Sequence, residues 1–104
     1  MDKELKGKWL TALRSGEYRQ TVGILRRTGA DGPYYCCIGV LLTVAGKPCK
    51  GTTIRGDQQE EVGLDDAHRL RLENLNDGKV HPEANPRGER HSFAQIADYI
   101  EANI

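Results

Sequence analysis

The sequence predicts a mainly α-helical fold: a compact bundle of about four helices around a central buried helix, with room for a small β-hairpin. Apolar residues recur at helical spacing in several segments of the chain. The most apolar run, residues 36–42, leads to Gly46 and Pro48, which are residues that end a helix. With 104 residues the chain has the size of a single domain, residues 1–104.

The first helix is predicted over residues 2–15. Leu5, Trp9 and Leu13 recur every four residues and form one apolar stripe. Asp2 is a suitable N-cap, because its carboxylate can accept a hydrogen bond from a free backbone N–H group. We expect Trp9 to anchor this helix to the core.

The second helix is predicted over residues 35–45 and is apolar on almost all sides. A helix of this kind is buried, so we expect it to form the centre of the core. Gly39 lies within it and should permit the close approach of another backbone.

Two further helices are predicted in the second half of the chain. One starts at Asp65 or Asp66, either of which can cap it, and ends at the turn residues 76–78. The last covers residues 92–103 and begins with the capping-box sequence SFAQ at residues 92–95.

The remaining segments give weaker signals. Residues 17–28 fit either one face of a helix or a short strand, and residues 29–33 have the glycines and proline of a turn. Residues 47–62 are interpreted as a loop with room for one short hairpin at residues 52–54. Residues 79–90 are predicted to form a second loop.

Composition limits the classes of function. Lys plus Arg and Asp plus Glu are 15 each, so the formal net charge is zero, which argues against binding of bulk nucleic acid by phosphate neutralisation. No apolar run approaches the roughly 20 residues that a membrane span needs, and residues 1–4 show no apolar signal region. We therefore expect a cytoplasmic protein. The low hydrophobic fraction of 38% indicates a small core and favours a homo-oligomer.

The three cysteines are Cys36, Cys37 and Cys49, and we expect all of them to be reduced thiols. There is no Cys-x-x-Cys motif, and the histidines show no ligand spacing relative to the thiols. The sequence predicts no metal site and no cofactor.

Cys36 and Cys37 form one candidate site. A cysteine at a helix N-terminus has its thiolate stabilised by the helix dipole and by free N–H groups. A thiol nucleophile also needs a histidine close in space, and His91 is a candidate for that base. The alternative is that both cysteines pack in and beside the core as small apolar residues.

A second candidate site combines tyrosines, arginines and one glutamine. Tyrosine rings can stack on a planar ligand, guanidinium groups can hold phosphates, and a glutamine amide can read the edge of the ligand. Together they would suit a nucleotide-like molecule. The alternative is that the tyrosines bury their rings and hydrogen-bond their hydroxyl groups. The residues are Tyr18, Gln20, Arg26, Arg27, Tyr34 and Tyr35, with Arg19 as a further guanidinium.

Five blocks of sequence, in this order, resemble a family of small proteins encoded by bacteriophages and prophages. They are a Trp-containing first helix, SGEYRQ at residues 15–20, YCCIGVL at residues 35–41, LND at residues 75–77 and SFAQIADYIE at residues 92–101. The resemblance implies an origin and no catalytic mechanism. Members of that family commonly carry Leu at the position of Ile38 and a further Cys near the position of Leu42.

Small phage proteins of neutral charge are often accessory proteins that bind a host protein or sequester a host signal, and many act against defence systems. The sequence therefore predicts a binding protein that inhibits a host process, antiviral defence above all. Its partner would be a host protein or a small nucleotide-like ligand in the bacterial cytoplasm. One alternative is a cysteine-dependent hydrolase or transferase that uses Cys36 or Cys37. Another is a structural or assembly protein of the virion.

Overall fold

The computed structural model describes all 104 residues and contains five helices and one two-stranded antiparallel sheet. The elements are α1 (Lys3–Arg14), β1 (Arg26–Gly29), β2 (Gly32–Tyr35), α2 (Cys37–Val44), α3 (Gly56–Val62), α4 (Asp66–Asp77) and α5 (Phe93–Asn103). The mainly α-helical class with a small hairpin is confirmed. The expected bundle of about four helices is not confirmed, because the chain forms five.

The core is built around α2. Six of its residues, from Cys37 to Leu42, are buried, and α2 packs against both α1 and α4. Trp9 is fully buried and donates its Nε1–H to the carbonyl oxygen of Cys37 at 2.9 Å. Trp9 therefore anchors α1 to the first turn of α2, as the sequence predicted. All five helices are too short or too polar to span a lipid bilayer.

The chain just before β1 lies directly against α2. An ideal Cβ atom on Gly39 would lie only 1.9 Å from the carbonyl oxygen of Leu25. That same carbonyl accepts the backbone N–H of Cys36 at 3.2 Å. The predicted close approach at Gly39 is confirmed, and it fixes the hairpin relative to the start of α2.

The hairpin does not lie where the sequence suggested. Residues 52–54 contain no strand, and the sheet pairs Arg26–Gly29 with Gly32–Tyr35 through a two-residue turn. Interpretation of residues 17–28 as a helix is also wrong. The sequence Arg-Arg-Thr-Gly of β1 lacks the alternation of a half-buried strand, because its first three residues are all exposed.

The segment 47–62 is not entirely a loop, because its last seven residues form α3. Only Gln58 and Val62 in this helix are buried, which leaves too few apolar positions for a periodic signal. The side chain of Gln58 donates to the carbonyl oxygen of Pro48 at 2.9 Å and so holds α3 to the preceding loop.

The predicted helix starts are confirmed by their hydrogen bonds. The carboxylate of Asp65 accepts the N–H of His68 at 2.7 Å at the start of α4. Ser92 and Gln95 bond each other reciprocally, with the Ser92 N–H to Gln95 Oε1 distance at 2.9 Å. These caps satisfy N–H groups that have no partner within the helix.

Candidate functional site

A short extended segment, residues 19–21, lies beside β2 and adds a third segment to the hairpin. The Tyr35 N–H donates to the Arg19 carbonyl oxygen at 2.8 Å, and the Thr21 N–H donates to the Tyr35 carbonyl oxygen at 2.8 Å. Gln20 thereby forms a parallel bridge with Tyr35. Three extended segments lie side by side in the order 19–21, β2, β1.

The two faces of this small sheet have different surroundings. Arg26 is paired with Tyr35 and Arg27 with Tyr34, and side chains of successive strand residues point to opposite faces. Tyr35 packs against the hydrophobic core. Arg27 and Tyr34 therefore lie on the outward face.

The outward face carries three side chains in contact, which we call the arginine–tyrosine row: Arg19, Tyr34 and Arg27. The guanidinium carbon of Arg19 lies 4.8 Å from the centroid of the Tyr34 ring, and that of Arg27 lies 4.6 Å from it. Both distances suit cation–π attraction. Both arginines are exposed and Tyr34 is half-buried.

Asp31, in the turn between β1 and β2, contacts two members of the row. It accepts a hydrogen bond from the Tyr34 hydroxyl at 2.9 Å and forms an ion pair with Arg19 at 2.6 Å. The hydrogen bond from Tyr34, together with the charges of Arg19 and Arg27, lowers the pKa of the Asp31 carboxyl. At neutral pH Asp31 is therefore a carboxylate that neutralises Arg19.

Arg26 and Arg27 remain without any ion pair. Arg26 donates to the Thr28 hydroxyl at 3.3 Å, and its guanidinium carbon lies 5.8 Å from the Tyr35 ring centroid. Each guanidinium thus lies against an aromatic ring and forms no ion pair with a carboxylate of this chain. Such groups can bind an anionic partner.

The other residues that were predicted for the ligand site lie on the inward face of the sheet. The rings of Tyr18 and Tyr35 meet edge to face at 5.2 Å between centroids. The Gln20 amide donates to Asn76 Oδ1 at 3.0 Å and to the His91 carbonyl oxygen at 2.9 Å. The structure thus brings the tyrosines and arginines to one sheet, while the Gln20 side chain points away from them.

Asn76 connects the sheet to two helices. It is buried, and its Oδ1 accepts both the Gln20 amide and the Cys37 backbone N–H, the latter at 3.1 Å. Its Nδ2 donates to the Thr21 carbonyl oxygen at 2.9 Å. Sequence analysis treated Asn76 as a helix-ending residue and missed this role, since Asn before Asp-Gly also fits a simple helix stop. It also treated Asp31 only as part of a turn.

Cys36 is the N-cap of α2 and not an exposed nucleophile. Its Sγ accepts the Gly39 N–H at 3.3 Å. Burial raises the pKa of the Cys36 thiol to about 11, despite the hydrogen bonds from the helix start that act in the opposite direction. Cys37 is fully buried, and burial raises the pKa of its thiol well above the ordinary value. Both side chains are therefore neutral thiols at pH 7.

No histidine hydrogen-bonds either thiol. The Sγ of Cys37 lies 3.8 Å from the Leu72 carbonyl oxygen, and Nδ1 of His91 lies 2.9 Å from the Glu89 carbonyl oxygen. The cavity beside Cys36 and Cys37 has a volume of about 10 Å³, which is room for about one water molecule. A substrate could reach the sulfur of Cys37, which is fully buried, only if the core opened, and Cys36 is only 8% exposed.

The structure contains no group of three or more His, Cys, Asp or Glu side chains that could hold a metal ion. The two thiols of Cys36 and Cys37 are buried, whereas the side chains of Arg26 and Arg27 are exposed.

Comparison with known proteins gives one family and no characterised relative. No curated protein and no solved structure matches the chain. A family model described as a domain of unknown function (DUF8296) matches residues 1–52. The matched half contains α1, the hairpin and α2, and with them the arginine–tyrosine row and both buried thiols. The chain belongs to the DUF8296 family.

Proposed function

We propose that this chain is a phage-encoded accessory protein that binds a host protein without catalysis and thereby inhibits a host process, antiviral defence above all. The resemblance to small phage and prophage proteins supports the origin and a place of action in the host cytoplasm. The observation that carries the binding role is the arginine–tyrosine row, in which Arg27 has an aromatic neighbour and no carboxylate partner.

The surroundings of the thiols argue against the alternative of a cysteine-dependent enzyme. Reactive cysteines have a lowered pKa and are accessible, whereas burial raises the pKa of both Cys36 and Cys37. Neither thiol has a histidine partner. A protein that only binds a partner needs neither a reactive thiol nor a histidine base.

The shape of the surface favours a protein over a small ligand. Small-molecule sites are usually concave, and neither Arg27 nor Tyr34 lines the surface cavities of about 260, 310, 500 and 620 Å³. Tyrosine and arginine are among the residues that dominate protein–protein interfaces. A nucleotide-like signal is the competing ligand, and it would have to bind on an open surface.

We also propose that the protein forms a homo-oligomer. Native mass spectrometry of the freshly purified protein gives the number of copies. A reproducible small extra mass after addition of a host extract would reveal the competing ligand.

The direct test compares co-purification from host lysate by three tagged proteins: wild type, Arg27→Glu and Arg87→Glu. Arg87 is a matched control because it is also exposed and forms no ion pair. We expect wild type and Arg87→Glu to retain the same host protein. Arg27→Glu should lose at least about tenfold in affinity, because it replaces a positive charge of the row by a negative one. Equal recovery by all three, or a bound nucleotide with no protein, would overturn the proposal.

A further inference from the structure

One edge of the small sheet has free backbone groups. Both backbone groups of Tyr35 face the segment 19–21, because its N–H donates to Arg19 and its carbonyl accepts from Thr21. Arg26, opposite Tyr35, is therefore in a non-hydrogen-bonded pair of the antiparallel ladder. The N–H and C=O groups of Arg26 and Thr28 consequently point away from β2.

The pairing of Thr28 agrees with this assignment. Its partner across the ladder is Pro33, which has no N–H group to donate. A proline is tolerated there because that position of the ladder makes no cross-strand hydrogen bond to β1.

No other segment of the chain pairs with this edge. The neighbouring loop hydrogen-bonds the residue before β1, since the Leu25 N–H donates to the Gly51 carbonyl oxygen at 3.4 Å. No backbone hydrogen bond from another part of the chain reaches Arg26 or Thr28. The side chains of Arg26, Arg27 and Thr28 are all exposed.

The charges at this edge select the occupant. Arg26 and Arg27 project to opposite faces of β1, so the edge strand carries one positively charged side chain on each face. A second copy of β1 would place like charges close to one another, which destabilises a strand pair. A strand with acidic side chains would instead be attracted on both faces.

We propose that an extended acidic segment of the partner protein adds to the sheet as a strand along the free edge of β1. Backbone hydrogen bonds to Arg26 and Thr28 would give affinity, and carboxylates against Arg26 and Arg27 would give specificity. This inference rests on the proposed function and specifies the chemistry of the partner.

The probe is a synthetic peptide of about six residues, a typical strand length, in which pairs of glutamates alternate with pairs of threonines. Because successive side chains of a strand point to opposite faces, this order places glutamates on both faces. The peptide is titrated into the full-length protein while amide hydrogen exchange is followed residue by residue. We expect the Thr28 amide to exchange rapidly in the free protein and to become protected when the peptide binds. Absence of binding, or binding without protection of that amide, would overturn the inference.

Two substitutions separate backbone pairing from charge attraction. Thr28→Pro removes the outward N–H, whereas Thr28→Ser keeps both that N–H and the hydroxyl that accepts the Arg26 hydrogen bond. We expect Thr28→Pro to weaken peptide binding at least about tenfold and Thr28→Ser to change it by less than about twofold. Equal affinity of the two variants would contradict strand addition. If Thr28→Pro fails to fold, protection of the Thr28 amide in the wild type supports strand addition, and its absence contradicts it.

The same variants distinguish failure of this inference from failure of the proposed function. If the host partner is lost by Arg27→Glu and kept by Thr28→Pro, the row binds the partner and strand addition is wrong. If both variants keep the partner, the hairpin is not the binding surface and both proposals fail.

Discussion

At the scale of single residues, Cys36 shows how the surroundings decide what a reactive side chain does. Its position at a helix start would stabilise a thiolate, but its burial raises the pKa to about 11. The cost of removing a charge from water outweighs the hydrogen bonds that the helix start provides. Cys36 consequently acts as a cap for α2.

Substitution of Cys36 tests the capping role. Cys36→Ser keeps an acceptor for the Gly39 N–H and should leave the free energy of unfolding at pH 7 unchanged or higher. Cys36→Ala removes the acceptor and should lower it by about 1 kcal/mol. Urea denaturation of the three proteins measures the difference, and equal stability of Cys36→Ala and wild type would contradict the role of the sulfur.

The free energy of unfolding of wild type and Cys36→Ser should also differ in its dependence on pH. Because the thiol pKa is higher in the folded protein, its contribution to stability is complete below the ordinary value of 9.0 and is lost as pH rises towards about 11. The unfolded thiol ionises first in that range and favours unfolding. The wild type should therefore lose more stability from neutral to alkaline pH than Cys36→Ser does.

The sequence predicted part of this site. The position of Cys36 at the start of a buried helix follows from the apolar run behind it. Whether the thiolate is stabilised depends on how tightly other elements enclose the sulfur, and local sequence does not contain that information.

At the scale of elements, the sequence predicted the helices that have an apolar stripe or a capping signal. It also predicted a small hairpin, but neither the position of that hairpin nor the existence of α3. In α1 and α5 the stripe reports which face is buried. The strand β1 exposes Arg26, Arg27 and Thr28, so no alternation marks it. The contact at Gly39 was foreseen as a close approach, but its partner, Leu25, was not.

Alanine substitutions at two helical glycines test that contact. In Gly39→Ala the added Cβ would collide with the Leu25 carbonyl oxygen, and we expect a loss of about 3 kcal/mol or more in the free energy of unfolding. Gly7→Ala in α1 is the control, because nothing lies within 4 Å of its added Cβ, and it should gain up to about 1 kcal/mol. Thermal denaturation measures both. A neutral effect of Gly39→Ala would show that the chain before β1 does not lie against α2.

At the scale of the whole molecule, the arginine–tyrosine row and the residues that support it come from different parts of the chain. The family match ends at residue 52, yet α2 packs against α4, and Asn76 at the end of α4 bonds both the segment 19–21 and the start of α2. The row itself combines residues 19, 27 and 34, which are separate in sequence. The sequence identified these residues as candidates. It did not predict that three extended segments would pair and bring their side chains into one row.

We propose that the protein acts through the arginine–tyrosine row and not through its thiols. The most direct measurement is the plating efficiency of a defence-sensitive phage on a panel of defended hosts that express wild type, Cys36→Ser/Cys37→Ala or Arg27→Glu. We predict that wild type and the thiol variant rescue the phage on at least one host and that Arg27→Glu does not. Rescue by Arg27→Glu, loss of rescue in a folded thiol variant, or no rescue by wild type on any host would contradict the claim.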